Sequence, residues 1–228
     1  TPNTGTLIAE GTAQRPIRFR GRNAARWGSV YVVAPGVARL RHVTLEGGGG
    51  GSFDDGATVA GFGDGSLPAD PVVLLEHVTI TGSRGTGLSL QRAATFLQGS
   101  QELVISGSGN DTAPYPMQIE EHAIDALPTG RYTGNRVDEI LLHLGGYGVA
   151  GGGLSVDATL RDRGVPYHVG RSRGDSFIVG RSDRDGLATL TIEAGVVMKF
   201  APETVLKLQS TGSDKPGTGA VRALGTAD

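Results

Sequence analysis

The fold is decided by a strand that the chain uses twice, Leu40-Arg41-His42-Val43-Thr44-Leu45-Glu46-Gly47 and then Leu75-Glu76-His77-Val78-Thr79-Ile80-Thr81-Gly82. A looser third copy is Glu102-Leu103-Val104-Ile105-Ser106-Gly107. Each copy alternates apolar with polar residues and ends on glycine, which predicts a β-strand followed by a sharp turn. Successive strand centres lie roughly 20 to 35 residues apart, a spacing that is typical of a solenoid and too long for a sandwich of hairpins.

Shorter runs of the same kind continue along the chain at 139–144, 167–169, 177–179 and 190–192. No window of about a dozen residues shows the spacing of an amphipathic helix. The sequence therefore predicts an all-β chain, a parallel β-helix in which Val43, Val78 and Val104 share one column of the core. We expect a single domain over residues 1–228, with roughly nine turns and long glycine-rich loops near 47–70 and 145–153.

The composition agrees with a solenoid and excludes several classes of protein. Glycine accounts for 38 of the 228 residues, more than twice the roughly 7% of an average protein. Cysteine is absent, which excludes disulfide scaffolds, thiol catalysis and zinc–thiolate sites. The net charge of −2 gives no basic character for binding nucleic acid. No apolar run approaches the roughly 18 residues of a membrane span, so no membrane insertion is expected.

A longer repeat relates the two ends of the chain. Residues 5–13, beginning Gly5-Thr6-Leu7, match residues 219–227, beginning Gly219-Ala220-Val221, with glycine, alanine and threonine recurring in register. Both ends would then stand at the same phase of a larger cycle. This pattern is typical of a piece of a longer solenoid, whose remaining turns would be its immediate partner.

The residues also carry a resemblance to a known family. The segment from Leu190 to Phe200 leads into a Gly-Thr-Ala turn, and in the first cycle Pro16-Ile17-Arg18-Phe19 and Trp27-Gly28-Ser29-Val30 follow such a turn. This order resembles the right-handed parallel β-helix repeat proteins of bacterial surfaces and secretions, which share the pectate-lyase-like superfold. The resemblance implies right-handed coiling, an extracellular or cell-surface location, and a polysaccharide or surface glycan as partner.

Because that superfold includes enzymes, paired carboxylates are the first candidates for catalysis. Asp54 and Asp55 form the adjacent pair, within a glycine-rich stretch. Glycoside hydrolysis needs two carboxyl groups, one of them protonated. The alternative is a solvated turn in which the aspartates bond to nearby backbone. No partner motif of the polygalacturonase type accompanies the pair.

An arginine-rich stretch between Arg161 and Arg184 is the candidate surface for binding an acidic glycan. Within it, Arg171 and Arg173 are the predicted charged contacts and Tyr167 is the predicted aromatic neighbour. Arginine can hold a carboxylate or sulfate through two parallel hydrogen bonds. Aspartates are interleaved with these arginines, so the alternative is a solvated face laced with ion pairs.

Metal binding has one weak candidate, Asp183 and Asp185, because oxygen ligands at alternate positions of a loop suit calcium. The EF-hand register fails, since it would place Arg181 and Ile192 at ligand positions. We therefore predict no cofactor, with calcium as the ion to test. His42 and His77 occupy equivalent positions of the repeated strand, which favours a stacked structural ladder over a metal site.

Three functions remain open at this point. The favoured one is a non-catalytic extracellular or cell-surface module that supports adhesion and contacts glycan. The runner-up is a polysaccharide lyase or glycoside hydrolase of the pectate-lyase-like superfold. The third is an inert spacer in a larger surface protein, which would present a featureless wall in place of a groove.

Overall fold

A computed structural model describes residues 4–51, 54–144, 153–180, 187–208 and 218–225. Short strands dominate it, and its helical segments are three single 3-10 turns at Arg22–Ala24, Asp54–Gly56 and Glu121–Ala123. The strands are β1 (Thr6–Glu10), β2 (Ile17–Arg20), β3 (Val30–Val33), β4 (Val37–Glu46), β5 (Val59–Phe62), β6 (Asp70–Thr81), β7 (Leu88–Gln91), β8 (Ala94–Phe96), β9 (Leu103–Ser106), β10 (Met117–Ile119), β11 (Gly130–Arg131), β12 (Ile140–Leu142), β13 (Ala158–Leu160), β14 (Tyr167–Val169), β15 (Ser176–Ile178), β16 (Leu187–Ile192), β17 (Met198–Phe200), β18 (Val205–Lys207) and β19 (Thr218–Ala223).

The strands stack into sheets in the order of a solenoid. The first sheet has the order β1-β4-β6-β9-β11, with β2 on β4 and β8 on β6, and the second sheet has the order β3-β5-β7-β10-β12-β14-β17. Smaller sheets, β13-β16-β19 and β15-β18, complete the later turns. Neighbouring strands pair in parallel, as between β4 and β6 and between β5 and β7. The prediction of an all-β parallel solenoid is confirmed, but the seven strands of the second sheet mark about seven turns instead of nine.

The repeated strand bends in the middle at its histidine. Before the bend Ala38 and Leu40 are buried, and after it Val43 and Leu45 are buried, so the inward-facing positions change from even to odd numbers. His42 makes this change by taking a φ of 47°, and His77 repeats it at 53°. Their rings stack with centroids 4.6 Å apart and planes 3° from parallel. The predicted histidine ladder is confirmed as a corner of the solenoid.

The core column that starts with Val43 departs from prediction at its third member. Val43 is paired with Val78, and both are fully buried. In the next turn Val104 pairs with Thr79 and points away from the core, so Leu103 fills the column instead. Placing Val104 in the core was therefore wrong by one residue, because the corner position in this turn falls on Glu102, with a φ of 52°.

One of the two predicted loops needs revision as well. The loop near 47–70 is interrupted by the Asp54–Gly56 turn and by β5, so the glycine-rich part leads into a second-sheet strand. Most of the loop near 145–153 lies outside the described residues.

Each copy of the repeated strand ends on a left-handed glycine, Gly47, Gly82 and Gly107. The amide of each donates to the following turn, as Gly82 does to the carbonyl of Ser106.

Candidate functional site

The outer face of the second sheet is covered where a solenoid wall would ordinarily meet solvent. The middle residues of its strands point away from the core, yet four successive ones are almost completely buried. They are Ala60, Ser89, Gln118 and Leu141. Loops from other turns must therefore lie over this face, because a side chain on the outside of a single wall is otherwise exposed.

One covering loop begins with the Asp54–Gly56 turn. Both Asp54 and Asp55 hold a left-handed backbone, with φ of 50° and 56°, a conformation that costs energy for any residue except glycine. The loop sits tightly on the next turn, since a Cβ on Gly85 would lie 1.7 Å from the carbonyl oxygen of Asp55. Glycine at 85 is what allows the two aspartates to reach the sheet.

Asp54 is a sequestered carboxyl group. Its Oδ1 accepts a hydrogen bond from the amide of Gln91, whereas among the described residues nothing donates to its Oδ2, which is out of contact with solvent. Burial raises the pKa of Asp54 to about 6, and the hydrogen bond with Ser89 opposes that rise. A carboxyl group of this kind exchanges its proton near neutral pH.

Asp55 and Arg171, which the sequence offered as candidates for two different roles, meet at this site. Arg171 Nη2 donates to Asp55 Oδ2 at 2.8 Å although the two residues are 116 positions apart. Both side chains are half-buried: 38% of the surface of Arg171 is exposed and 28% of that of Asp55. The ion pair connects the loop at Asp54–Gly56 to the segment that follows β14.

A cavity of about 280 Å³ opens beside this ion pair. Its size is close to the lower end of small-molecule sites, which start near 300 Å³. Its wall combines carboxylate, amide, guanidinium, hydroxyl and aromatic groups, the mixture that recognises hydroxylated ligands. The groups that supply this mixture are Asp55, Tyr115, Gln118, His168 and Arg171.

A second polar cluster continues the outer face on the next turns. Glu139 bonds to His168 Nδ1 at 3.0 Å and to Lys199 Nζ at 2.5 Å. Burial alone would raise the pKa of Glu139, but the bonds with Lys199 and His168 outweigh it and hold the pKa below its usual value. The ring of Tyr115 lies 5.1 Å from that of His168, so this cluster has an aromatic wall.

His143 lies near the charges of Arg171, Asp175 and Asp55. Its Nδ1 is out of contact with solvent and has no hydrogen-bond partner among the described residues. Burial lowers its pKa, and the positive charge of Arg171 lowers it further. Near neutral pH this imidazole is therefore uncharged.

Two other predicted glycan contacts lie away from the cavity. Arg173 pairs with Glu203 on the exposed surface, with Nε donating to Oε2 at 2.6 Å. Tyr167 is 1% exposed, and its hydroxyl donates to the carbonyl of Arg161. Its ring belongs to the core and offers no face to a sugar, because position 167 is an inward position of β14.

The calcium candidates Asp183 and Asp185 lie outside the described residues. Within the described ranges, no group of three or more His, Asp or Glu side chains is placed to hold a metal ion. No helix in the part of the chain that the structure describes is long and apolar enough to cross a membrane.

Sequence reasoning missed the polar residues of the sheet itself. Ser89 and Gln118 are the middle residues of β7 and β10, and His168 and Lys199 are those of β14 and β17, with Leu141 of β12 between the two pairs. Each of the four polar residues stands between two apolar neighbours. That alternation is a signal that the sequence does contain. It becomes informative only when the strands are aligned in register, because each one is three or four residues long.

Comparison with known proteins gives one relationship. Over 112 residues the chain is 34% identical to the "Putative phosphotransferase IIA component SgcA" of Escherichia coli (strain K12), an alignment that covers 47% of this chain and 76% of that protein. The chain belongs to the family of this protein. No family model matches the chain, and no solved structure matches it.

Proposed function

We propose that this chain is a structural β-solenoid module that binds an extended glycan on the outer face of its second sheet, at the cell surface or outside the cell. The observation that carries the proposal is the Asp55–Arg171 ion pair, closed over a cavity with polar and aromatic walls. Burying polar side chains costs free energy, and a solenoid that served only as a spacer would not need such side chains on its outer wall.

The charges of the site favour a neutral sugar over an acidic one. Arg171 is already paired with Asp55 and Arg173 with Glu203, so neither guanidinium is available to a carboxylate or sulfate without first losing its partner. A sugar hydroxyl both donates and accepts a hydrogen bond. It can therefore bond to a carboxylate and a guanidinium that remain paired with each other.

The direct test is calorimetric titration of the chain with neutral β-glucan oligosaccharides and, separately, with oligogalacturonate. We expect binding of the neutral sugars, at least a tenfold loss of affinity in Asp55→Asn and Arg171→Met, and no change in the matched control Arg173→Met. Binding of oligogalacturonate that is stronger and falls with salt would contradict the neutral preference. Absence of binding to both classes would favour the spacer.

A second candidate function, glycoside hydrolysis, is favoured by the protonation of Asp54. A carboxyl with a pKa of about 6 next to an ion-paired carboxylate matches the pattern of a general acid and its partner. Because Oδ2 of Asp54 is closed to solvent, the covering turn would have to open before Asp54 could give its proton to the glycosidic oxygen as that bond breaks. Asp55 would take a proton from the attacking water. The test is release of reducing ends from neutral glucans near pH 5.5, with loss of the activity in Asp54→Asn.

A third candidate, phosphoryl transfer, comes from the description of the Escherichia coli relative. His168 would be the acceptor, because Glu139 holds one of its ring nitrogens at 3.0 Å and such a bond orients the other nitrogen. The test is incubation with acetyl phosphate followed by mass spectrometry. An acid-labile phosphate on the wild-type chain that is absent from His168→Gln would support this function.

A further inference from the structure

A second cavity adjoins the first cavity, the one beside the Asp55–Arg171 ion pair. The second cavity has a volume of about 200 Å³, and Asp55 and Thr112 line both cavities. Neither volume reaches the roughly 300 Å³ at which small-molecule sites begin, but the two volumes together exceed it. The candidate site therefore continues past Asp55 into further space for a ligand.

Three successive turns of the solenoid build the second cavity. The loop at Asp54–Gly56, the turn after β6 and the turn after β9 each supply part of its wall. The amide of Arg84 donates to the carbonyl of Gly48, and the amide of Gly109 donates to the carbonyl of Gly85. These backbone bonds hold the walls at the spacing of the turns, so the cavity is part of the stacked framework.

Arg84 brings a positive charge to the second cavity. Its side chain is exposed, and in the part of the chain that the structure describes its guanidinium makes no hydrogen bond and no ion pair. The carboxylate in the same wall, that of Asp55, is already paired with Arg171. A guanidinium whose donors are unused is well suited to hold a carboxylate, because its N–H groups match the two oxygens.

Asn110 adds a second donor to this cavity. Its Oδ1 accepts three hydrogen bonds, from the amide and the hydroxyl of Thr112 and from the amide of Ala113, which fixes the orientation of the side-chain amide. Its Nδ2 faces Gly85, where an added Cβ would lie 3.2 Å from it. No acceptor among the described residues takes the protons of this Nδ2. The second cavity therefore presents two side-chain donors that await acceptors.

Resting on the proposed glycan site, we infer that the second cavity is a subsite for the carboxylate of an acidic sugar linked to the neutral sugar in the first cavity. The ligand class is then an oligosaccharide in which a neutral unit and a uronic acid unit are neighbours. A chain of uronic acids alone fits less well, because it would place a further carboxylate in the first cavity, where Arg171 is already paired with Asp55. Arg84 and Asn110 set this preference.

The experiment is calorimetric titration with cellobiose and with the two isomeric disaccharides in which one glucose unit of cellobiose is replaced by glucuronic acid. Both isomers are used so that the acid is presented at either end of the disaccharide. One isomer should bind about fivefold more tightly than cellobiose, the size expected of a single charged contact that solvent partly screens. This preference should shrink in 1 M NaCl.

Three variants locate the preference. Arg84→Met removes the charge and should bind neither isomer more tightly than cellobiose. Asn110→Asp keeps the acceptor that Thr112 and Ala113 use and replaces the donor with a charged oxygen, so it should bind both isomers more weakly than cellobiose. Arg18→Met removes an exposed arginine from β2 and is the matched control, which should keep the wild-type preference. Thermal unfolding monitored by circular dichroism shows that each variant is folded.

The outcomes separate the subsite from the site on which it rests. If wild type binds cellobiose but neither isomer more tightly, or if Arg84→Met keeps the preference, the acidic subsite is refuted and the proposed glycan site stands. Loss of the preference in Arg18→Met would also refute the subsite, because the effect would then follow the net charge of the chain. Tight binding of an isomer that survives in Asp55→Asn would refute the link to the first cavity. If wild type binds none of the three disaccharides, both proposals fail.

Discussion

The two faces of the second sheet are buried in different ways. On the inner face, residues such as Leu88 and Leu142 are fully buried in one continuous hydrophobic core. On the outer face, Ser89 and Leu141 are nearly as inaccessible, but what covers them is loop. The inner face is closed by the coiling of the chain on itself, whereas the outer face is closed by contacts between distant turns such as Asp55 and Arg171.

This difference explains why the site has the composition it has. Core columns require apolar residues of similar size at each turn, because stacked layers must fill the interior at high density. The outer face has no such requirement, so polar groups collect there and bond to one another, as Gln118 does to Ser89 at 2.7 Å. Binding sites are commonly built from loops that a rigid scaffold such as this sheet holds in place.

The largest expected effect comes from truncating leucine on one face and then on the other. Leu142 and Leu141 are neighbours in β12, with the first inside and the second outside. Leu142→Ala should lower the free energy of unfolding by about 3–5 kcal/mol, because it leaves a cavity in a packed core. Leu141→Ala should cost less, about 1–2 kcal/mol, because loops can collapse onto the smaller side chain.

Urea unfolding followed by circular dichroism measures both values, and Leu187→Ala serves as a control because Leu187 is 58% exposed. Equal losses at 141 and 142 would show that the outer cover is as firmly packed as the core. The contrast between the two faces would then be wrong.

The second prediction uses the proton on Asp54. Its pKa in the folded chain is about 6, raised from 3.8, so between pH 4 and 6 the folded state binds more protons than the unfolded state. The contribution of Asp54 to stability therefore falls as the pH rises through this window. The fall should amount to at most about 3 kcal/mol, and Asp54→Asn should remove it. Denaturation midpoints between pH 4 and 7 measure the slope.

The control for this titration is Asp64→Asn on an exposed loop. Hydrogen bonds from Ser66 lower the pKa of Asp64, so its contribution has the opposite sign and is lost as the pH falls. Removing Asp64 should leave the fall between pH 4 and 6 in place. If Asp54→Asn also leaves it in place, the buried state of Asp54 is refuted.

Much of the fold could be predicted from the repeated strand, because apolar and polar residues alternate over 43–46 and 78–81 in the same order as buried and less buried positions alternate in the structure. The strand at 167–169 was predicted with the bounds that it has. The shift at Val104 could not be predicted, because it depends on Glu102 taking a left-handed backbone. The spacing of strands along the sequence also predicted too many turns, because one turn contains strands of both sheets.

The site was predicted only in pieces. Asp55 and Arg171 were each selected for their chemistry, but their contact spans 116 positions, and no local pattern encodes it. Tyr167 follows a proline, as Tyr115 does, yet the two rings point to opposite sides of the wall. Tyr167 occupies an inward position of the three-residue strand β14, where an error of one position reverses the face, whereas Tyr115 precedes β10.

The third prediction removes a single hydroxyl from the covered outer face. Ser89 accepts from the amide of Gln118 at 2.7 Å and helps to lower the pKa of Asp54. Ser89→Ala should cost about 1–3 kcal/mol in the free energy of unfolding, because it leaves a buried amide unpaired, and should raise the pKa of Asp54 further. The exposed Ser172→Ala is the control. A neutral Ser89→Ala would mean that water reaches this face.

The smallest effect distinguishes two arginines that are only two positions apart. Arg171 joins distant turns across the outer face through a half-buried ion pair, whereas Arg173 and Glu203 form their pair in full contact with solvent. Arg171→Met should lower the free energy of unfolding by about 0.5–1 kcal/mol at low salt, and by less in 1 M NaCl, where charges are screened within about 3 Å. Arg173→Met should be indistinguishable from wild type at either salt concentration, because solvent screening leaves an exposed pair with little net energy. Urea titrations of the two variants at both salt concentrations give the comparison. An Arg173→Met that is as destabilising as Arg171→Met would mean that the cover over the second sheet does not depend on the Asp55–Arg171 contact, and the closed outer face would need another cause.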